Sequence, residues 1–162
     1  MVRLEQRTLT ELVQKSAEKF GKRTAFSLFS EGTLTNITSY EEFGKRSLGI
    51  ASILEQLGLQ KGDRVMLLAE NRPEWPIAYF GISLAGTIIV PILTDFIAEH
   101  VGTVAKHAEI TAICGTEKTI AKIKAAGISD EIPLLHIDEM DTQGIMVTIK
   151  GQKVKMEYKP VT

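Results

Sequence analysis

Apolar positions along this chain follow two periods, and the switches between them predict the elements. Leu12, Val13, Ala17 and Phe20 recur at helical spacing behind the capping pattern Thr8-x-x-Glu11, and Gly21 predicts the stop. Ala25 to Phe29 alternates as a strand does. Glu31-Gly32-Thr33 reads as a turn, and Leu34 to Thr38 returns as the second strand of a hairpin. Ser39-x-x-Glu42 opens a second helix, which carries Phe43, Leu48, Ile50, Ala51, Ile53, Leu54 and Leu57 and ends at Gly58.

Val65 to Ala69 is a short, continuous apolar run, the pattern of a parallel strand buried on both faces. Asn71 is placed to cap the next helix, with Pro73 in its first turn, where a missing N–H costs nothing. Trp75 to Ala85 forms that helix and Gly86 ends it. Thr87 to Val90 is β-branched and predicts a strand, closed by Pro91. Asp95 is expected to cap a helix bearing Ile97, Val101, Val104 and Ala105. Ala112 to Cys114 follows as a strand, Thr116 starts a helix with Ile120, Ile123 and Ala126, and Leu134 to Ile137 is a fourth buried strand. Strands alternating with helices from 64 to 138 imply parallel βαβ units with right-handed crossovers.

The tail differs. Ile145 to Ile149 and Val154 to Tyr158 flank Lys150-Gly151-Gln152-Lys153 and predict a two-stranded ribbon wet on one face. The fold class expected is therefore α/β: a parallel βαβ sheet flanked by helices, with an N-terminal hairpin and a C-terminal two-stranded ribbon. Residues 1–162 are expected to form a single domain, with 139–162 as its ribbon or tail; no repeat or Gly/Ser linker divides them.

Composition narrows the function classes. The 162 residues are 44% apolar and 24% charged, with a net charge of −1. That balance gives no pull toward nucleic acid or anionic lipid, and aromatic residues do not interleave with a basic patch. The span between Glu74 and Asp95 lacks charge, but Pro76, Gly81, Gly86 and Pro91 interrupt it. A helix followed by a strand, and not a transmembrane segment, is expected there. The amino terminus has no apolar signal core, and the single cysteine, Cys114, sits in an apolar run as a buried, inert thiol. Both suit a reducing, cytoplasmic setting.

Candidate chemistry is sparse. No dinucleotide fingerprint or phosphate loop occurs. Gly44-Lys45-Arg46-Ser47 resembles the end of one but lies within a helical pattern, as a solvated helix face. His100 and His107 are seven apart on one helix and His136 is remote, so no metal site is expected. Asp63 and Arg64 read as a turn plus a charge pair. Trp75 and Tyr79, four apart, read as core packing, with an acyl pocket as the alternative. Asn36-Ile37-Thr38 is a chance match to a glycosylation sequon. No nucleophile with a partnered base is present, so no catalytic, cofactor-binding or metal-ligating residue is assigned.

The ordered set Gly62-Asp63-Arg64-Val65, Asn71-Arg72-Pro73-Glu74-Trp75, Ala78-Tyr79-Phe80-Gly81-Ile82, Ala85-Gly86 and Val90-Pro91-Ile92 resembles the amino-terminal part of the AMP-forming acyl-CoA synthetases. That superfamily includes luciferases and adenylation domains. Thr38-Ser39-Tyr40-Glu41-Glu42-Phe43 is similar to an early element of the family. Thr94-Asp95-Phe96, Ala98-Glu99 and Lys106-His107-Ala108-Glu109 are similar to the next helix of its long-chain fatty-acid branch. The resemblance covers residues 8–120. It implies an enzyme that converts a fatty acid and ATP, with magnesium, to an acyl-adenylate and then to a CoA thioester. The family's phosphate loop ending in Pro-Lys-Gly, its ribose-binding aspartate and its carboxy-terminal lysine are absent from the 162 residues. The resemblance therefore implies an inactive fragment with no ligand of its own. Its partners would be the remainder of the large domain and a C-terminal domain, with self-association of the isolated piece. The whole enzyme would be cytoplasmic or peripheral to a membrane. The rival reading is a stand-alone, non-catalytic α/β binding or interaction module.

Overall fold

The structure, a computed structural model, describes residues 4–6 and 8–161. Helix α1 (Leu9–Phe20) leads into the hairpin β1 (Thr24–Ser30) and β2 (Thr33–Ser39), then α2 (Tyr40–Gln56). β3 (Arg64–Leu68), α3 (Glu74–Leu84), β4 (Ile88–Pro91), α4 (Ala98–Ala108), β5 (Ala112–Gly115), α5 (Glu117–Ala125) and β6 (Leu134–Met140) follow in strict alternation. β7 (Gly144–Ile149) and β8 (Gln152–Glu157) close the described chain.

β1 and β2 form their own two-stranded sheet. The main sheet has six strands in the order β4-β3-β5-β6-β7-β8, parallel from β4 to β6 and antiparallel thereafter. The C-terminal ribbon thus extends the main sheet, because β6 runs past Ile137 to Met140 and turns back through Asp141, whose carboxylate accepts from the N–H groups of Gln143 and Gly144.

The continuous apolar runs alternate faces as strands must. Val65, Leu67 and Ala69 join Ile77, Ile82, Ile50 and Leu54 in a core beneath α1, α2 and α3. Met66 and Leu68 join Val101, Ala105 and Ile123 in a second core beneath α4 and α5. The crossover from β3 through α3 to β4 and those from β4 through α4 to β5 and from β5 through α5 to β6 run in opposite directions along the sheet, and crossovers of one hand then place their helices on opposite faces. α2 and α3 cross closely at Gly81, where an added Cβ would stand 2.5 Å from Ile50 Cβ and 2.8 Å from the Ser47 carbonyl.

Three local expectations are corrected. Pro73, not Asn71, is the residue before α3, and no side chain caps that helix. α4 begins at Ala98 behind Ile97, so Asp95 lies in the preceding turn and does not cap. Asp63 and Arg64 do not pair. The Asp63 carboxylate accepts from the Gln60 N–H at 2.7 Å, while Arg64 binds Glu109 at 2.8 Å and the Ala108 carbonyl at 2.8 Å, closing the C-terminus of α4.

Candidate functional site

In an open parallel sheet, neighbouring strands whose following helices depart to opposite faces leave a crevice at their carboxyl ends. β3 and β5 are that pair, since α3 packs on one face and α5 on the other. A chain of polar groups spans this rim. The Thr116 hydroxyl, just past β5, donates to Glu70, just past β3, at 2.7 Å. The other Glu70 oxygen takes Arg72 Nη1 at 3.2 Å, and Arg72 Nε donates to Glu74 Oε2 at 2.7 Å. Glu74 is buried, and it also accepts from Asn36 Nδ2 at 3.1 and 3.2 Å, with Arg46 Nη2 3.6 Å away.

Burial alone would push the Glu74 carboxyl up, but hydrogen bonds from Arg72 and Asn36 hold it below the ordinary range. Glu70 behaves likewise, with Thr116 and Arg72 opposing its burial. Arg72, desolvated yet flanked by two carboxylates, is held more firmly protonated. Asn36 reaches Glu74 because its backbone adopts φ 47° inside β2, a left-handed conformation that asparagine tolerates better than most residues. The sequon asparagine is therefore a tie between the hairpin and the rim. Sequence reasoning missed this network; its only trace is the alternation Glu70-x-Arg72-x-Glu74 beyond a buried strand.

The segment fixed by these bonds separates two clefts. One, of about 470 Å3, lies between β1 and the start of α3 and is lined by Phe26, Leu28, Arg72, Pro73 and Trp75. The other, of about 440 Å3, lies beyond β3 and β4 and is lined by Ala69, Asn71, Trp75, Ile92, Leu93 and Asp95. Trp75 belongs to both. It stacks on Tyr79 with ring centres 5.3 Å apart, and both rings are half-buried against the first core. Trp75 thus packs on the first core and also lines both clefts, whereas Tyr79 lines neither of them.

This rim does not suit a polyphosphate. The first N–H of α5 is taken by Asp138 at 2.9 Å, and the guanidinium of Arg72 is already engaged by Glu70 and Glu74. Among the described residues no three His, Cys, Asp or Glu side chains group as metal ligands. His100 and His107 are exposed on α4. His136 is buried, bonds Thr148 Oγ1 at 2.7 Å through Nε2, and is held below its ordinary pKa by burial and by Lys153. Cys114 is fully buried, which pushes its thiol up to about 12. Of Gly44-Lys45-Arg46-Ser47, only Lys45 faces solvent. Gly44 abuts Ala17, Arg46 turns toward Glu74, and Ser47 donates to the Ile77 carbonyl at 3.2 Å, so the segment is mostly an inward face of α2.

The family of AMP-binding enzymes matches residues 13–159. The chain belongs to that family. It is 26% identical over 129 residues to crotonobetaine/carnitine–CoA ligase of Escherichia coli, covering 80% of this chain and 25% of the relative. The same identity and shares hold for the enzyme of that name from Salmonella paratyphi A. The chain thus spans about a quarter of the length of the curated relatives it matches. Its fold is that of a fatty acyl-adenylate ligase from Legionella pneumophila, solved with acyl adenylate and pyrophosphate: TM-score 0.72, 20% identity, 83% of this chain and 24% of that one. A fatty acyl-CoA synthetase of Mycobacterium tuberculosis gives 0.67 at 21% identity, over 78% of this chain and 24% of that one. Among the described residues no helix is long and apolar enough to cross a membrane.

Proposed function

We propose that residues 1–162 form one domain, the amino-terminal subdomain of an AMP-forming fatty-acid–CoA ligase. The whole enzyme joins a fatty acid to ATP with magnesium, releases pyrophosphate, and transfers the acyl group from AMP to CoA. The chain alone is inactive. Its role is a scaffold: the Glu70–Arg72–Glu74 rim fixes Trp75, and the Trp75 clefts supply part of the wall facing the remainder of the large domain and the C-terminal domain. The enzyme is cytoplasmic or peripheral to a membrane, and the isolated piece self-associates through apolar side chains left wet, among them Leu93, Phe96 and Ile97.

The observation that carries this reading is the match of residues 13–159 to the AMP-binding family in a chain that spans about a quarter of its relatives' length. It is tested on the full-length gene product, by AMP and acyl-CoA formation from carboxylic acids of increasing length. Turnover preferring long chains supports it; turnover confined to short or polar acids removes the fatty-acid assignment. Sedimentation of the 162-residue chain tests the last part, and a monomer at every concentration would count against self-association.

A further inference from the structure

A third concavity lies away from the rim, on the outer side of the helical layer. It encloses about 510 Å3 between α1, α2 and the segment following β8. Its apolar walls are Leu48, Leu84, Tyr158 and Val161. Gly49 makes room for one wall, because the Tyr158 ring sits 2.7 Å from where a Cβ would stand. The segment itself is pinned by Tyr158 N–H to the Gln143 carbonyl at 2.8 Å and Lys159 N–H to Ser52 Oγ at 3.1 Å.

The polar part of this lining has one sign. Lys45 and Lys159 contribute two ammonium groups, Thr10 and Gln14 add neutral donors, and among the described residues no carboxylate lines the groove. Neither lysine is in an ion pair among the described residues, whereas Lys150, Lys153 and Lys155 each hold an acid. A concave apolar slot of a few hundred Å3 with a few convergent polar groups is the usual form of a small-molecule site. Here the groups call for an anion attached to an apolar chain. The geometry points to an accessory binding site for a single-chain carboxylate amphiphile, with its tail along Leu48, Leu84 and Tyr158 and its carboxylate between Lys45 and Lys159.

The groove is separate from the rim. Leu84 and Trp75 are nine residues apart on α3, about 13 Å at the helical rise. Trp75 is the only tryptophan, which makes it an internal reporter for ligand in the wrong place.

The test is calorimetric titration of the 162-residue chain with dodecanoate below its micellar concentration, with tryptophan emission followed in parallel. One equivalent should bind with Kd below about 100 µM. Lys45→Glu combined with Lys159→Glu should weaken binding by about tenfold or more, since both carboxylate contacts become repulsive. Leu48→Glu should abolish it, and dodecanol should bind more weakly than the acid. Trp75 emission should not change. Both lysines are exposed, so circular dichroism of the charge-reversed protein should match the parent. Absence of saturable binding, equal affinity in the charge-reversed protein, a Trp75 response that tracks occupancy, or binding only to anionic phospholipid vesicles would each overturn the proposal. None of these outcomes bears on turnover by the full-length ligase, so the two readings fail separately.

Discussion

Glu74→Gln isolates the contribution of the rim network. The substitution keeps the shape of a nearly buried side chain and removes one charge. Arg72 Nε then loses its 2.7 Å carboxylate partner, and Arg46, whose side chain is 11% exposed, loses the acid 3.6 Å from its guanidinium and keeps only the weaker attraction of Glu42 one turn away. Removing one partner of a buried ion pair costs about 3–5 kcal/mol. Here Arg72 retains Glu70 and is 21% exposed, and glutamine can still accept from Asn36, so about 2–3 kcal/mol is expected. With a urea slope of about 2–3 kcal/mol/M, the unfolding midpoint should fall by about 1 M at neutral pH.

The same difference must depend on pH in one direction. The folded-state pKa of Glu74 is lowered, so its stabilisation is complete above the unfolded carboxyl value of ~4.3 and is lost as pH falls through the folded value. The gap between parent and variant should therefore close as pH is taken from 7 toward about 3. Glu109→Gln, which breaks the exposed pair with Arg64, is the control and should cost well under about 1 kcal/mol. A Glu74→Gln midpoint within about 0.2 M of the parent, or a gap that widens in acid, would refute the network's role.

Three further outcomes follow from the packing and the turns. Gly81→Ala should destabilise by about 1–3 kcal/mol in the same urea assay, because its Cβ meets Ile50 and the Ser47 backbone; an unchanged midpoint would show that α2 and α3 do not cross so closely. Cys114 should resist a thiol reagent in buffer and react fully once urea unfolds the chain, as its burial and its pKa near 12 require; rapid labelling of the native protein would contradict the central position of β5. The Asp141 carboxyl, pulled down by Lys155 and by the Gln143 and Gly144 N–H groups, should titrate at about 2 by carbon NMR; a midpoint near the ordinary aspartate value would mean that the β6–β7 turn is not formed as described.

Much of the architecture was legible because burial on both faces leaves little choice of residue. Val65 to Ala69 has no polar side chain to offer solvent, and the structure divides its residues between two cores as a central strand must. Helix starts were less legible. Ser39 and Glu42 close a full capping box, but Asn71 and Asp95 carry the same chemistry and cap nothing, since tertiary position decides whether a side chain reaches an N–H. The ribbon strands were readable, yet their union with β6 was not, because partner choice depends on where Asp141 turns the chain. The rim network was invisible for a related reason. Asn36 and Glu74 are 38 positions apart, and only a left-handed residue within β2 brings them together. The resemblance, carried on short motifs in fixed order, extended over most of the span that the family match covers.

The central claim is that this chain is a structural flank of an adenylate-forming ligase and holds no complete active site. Pyrophosphate release measures it directly, with the 162-residue chain incubated with ATP, magnesium, a long-chain fatty acid and CoA beside the full-length gene product. The account predicts release by the full-length protein and none above blank by the chain alone, since adenylyl transfer needs cationic and backbone donors around the phosphates and the rim presents carboxylates. Clear turnover by the chain alone, or none by the full-length protein with any carboxylic acid, would contradict it.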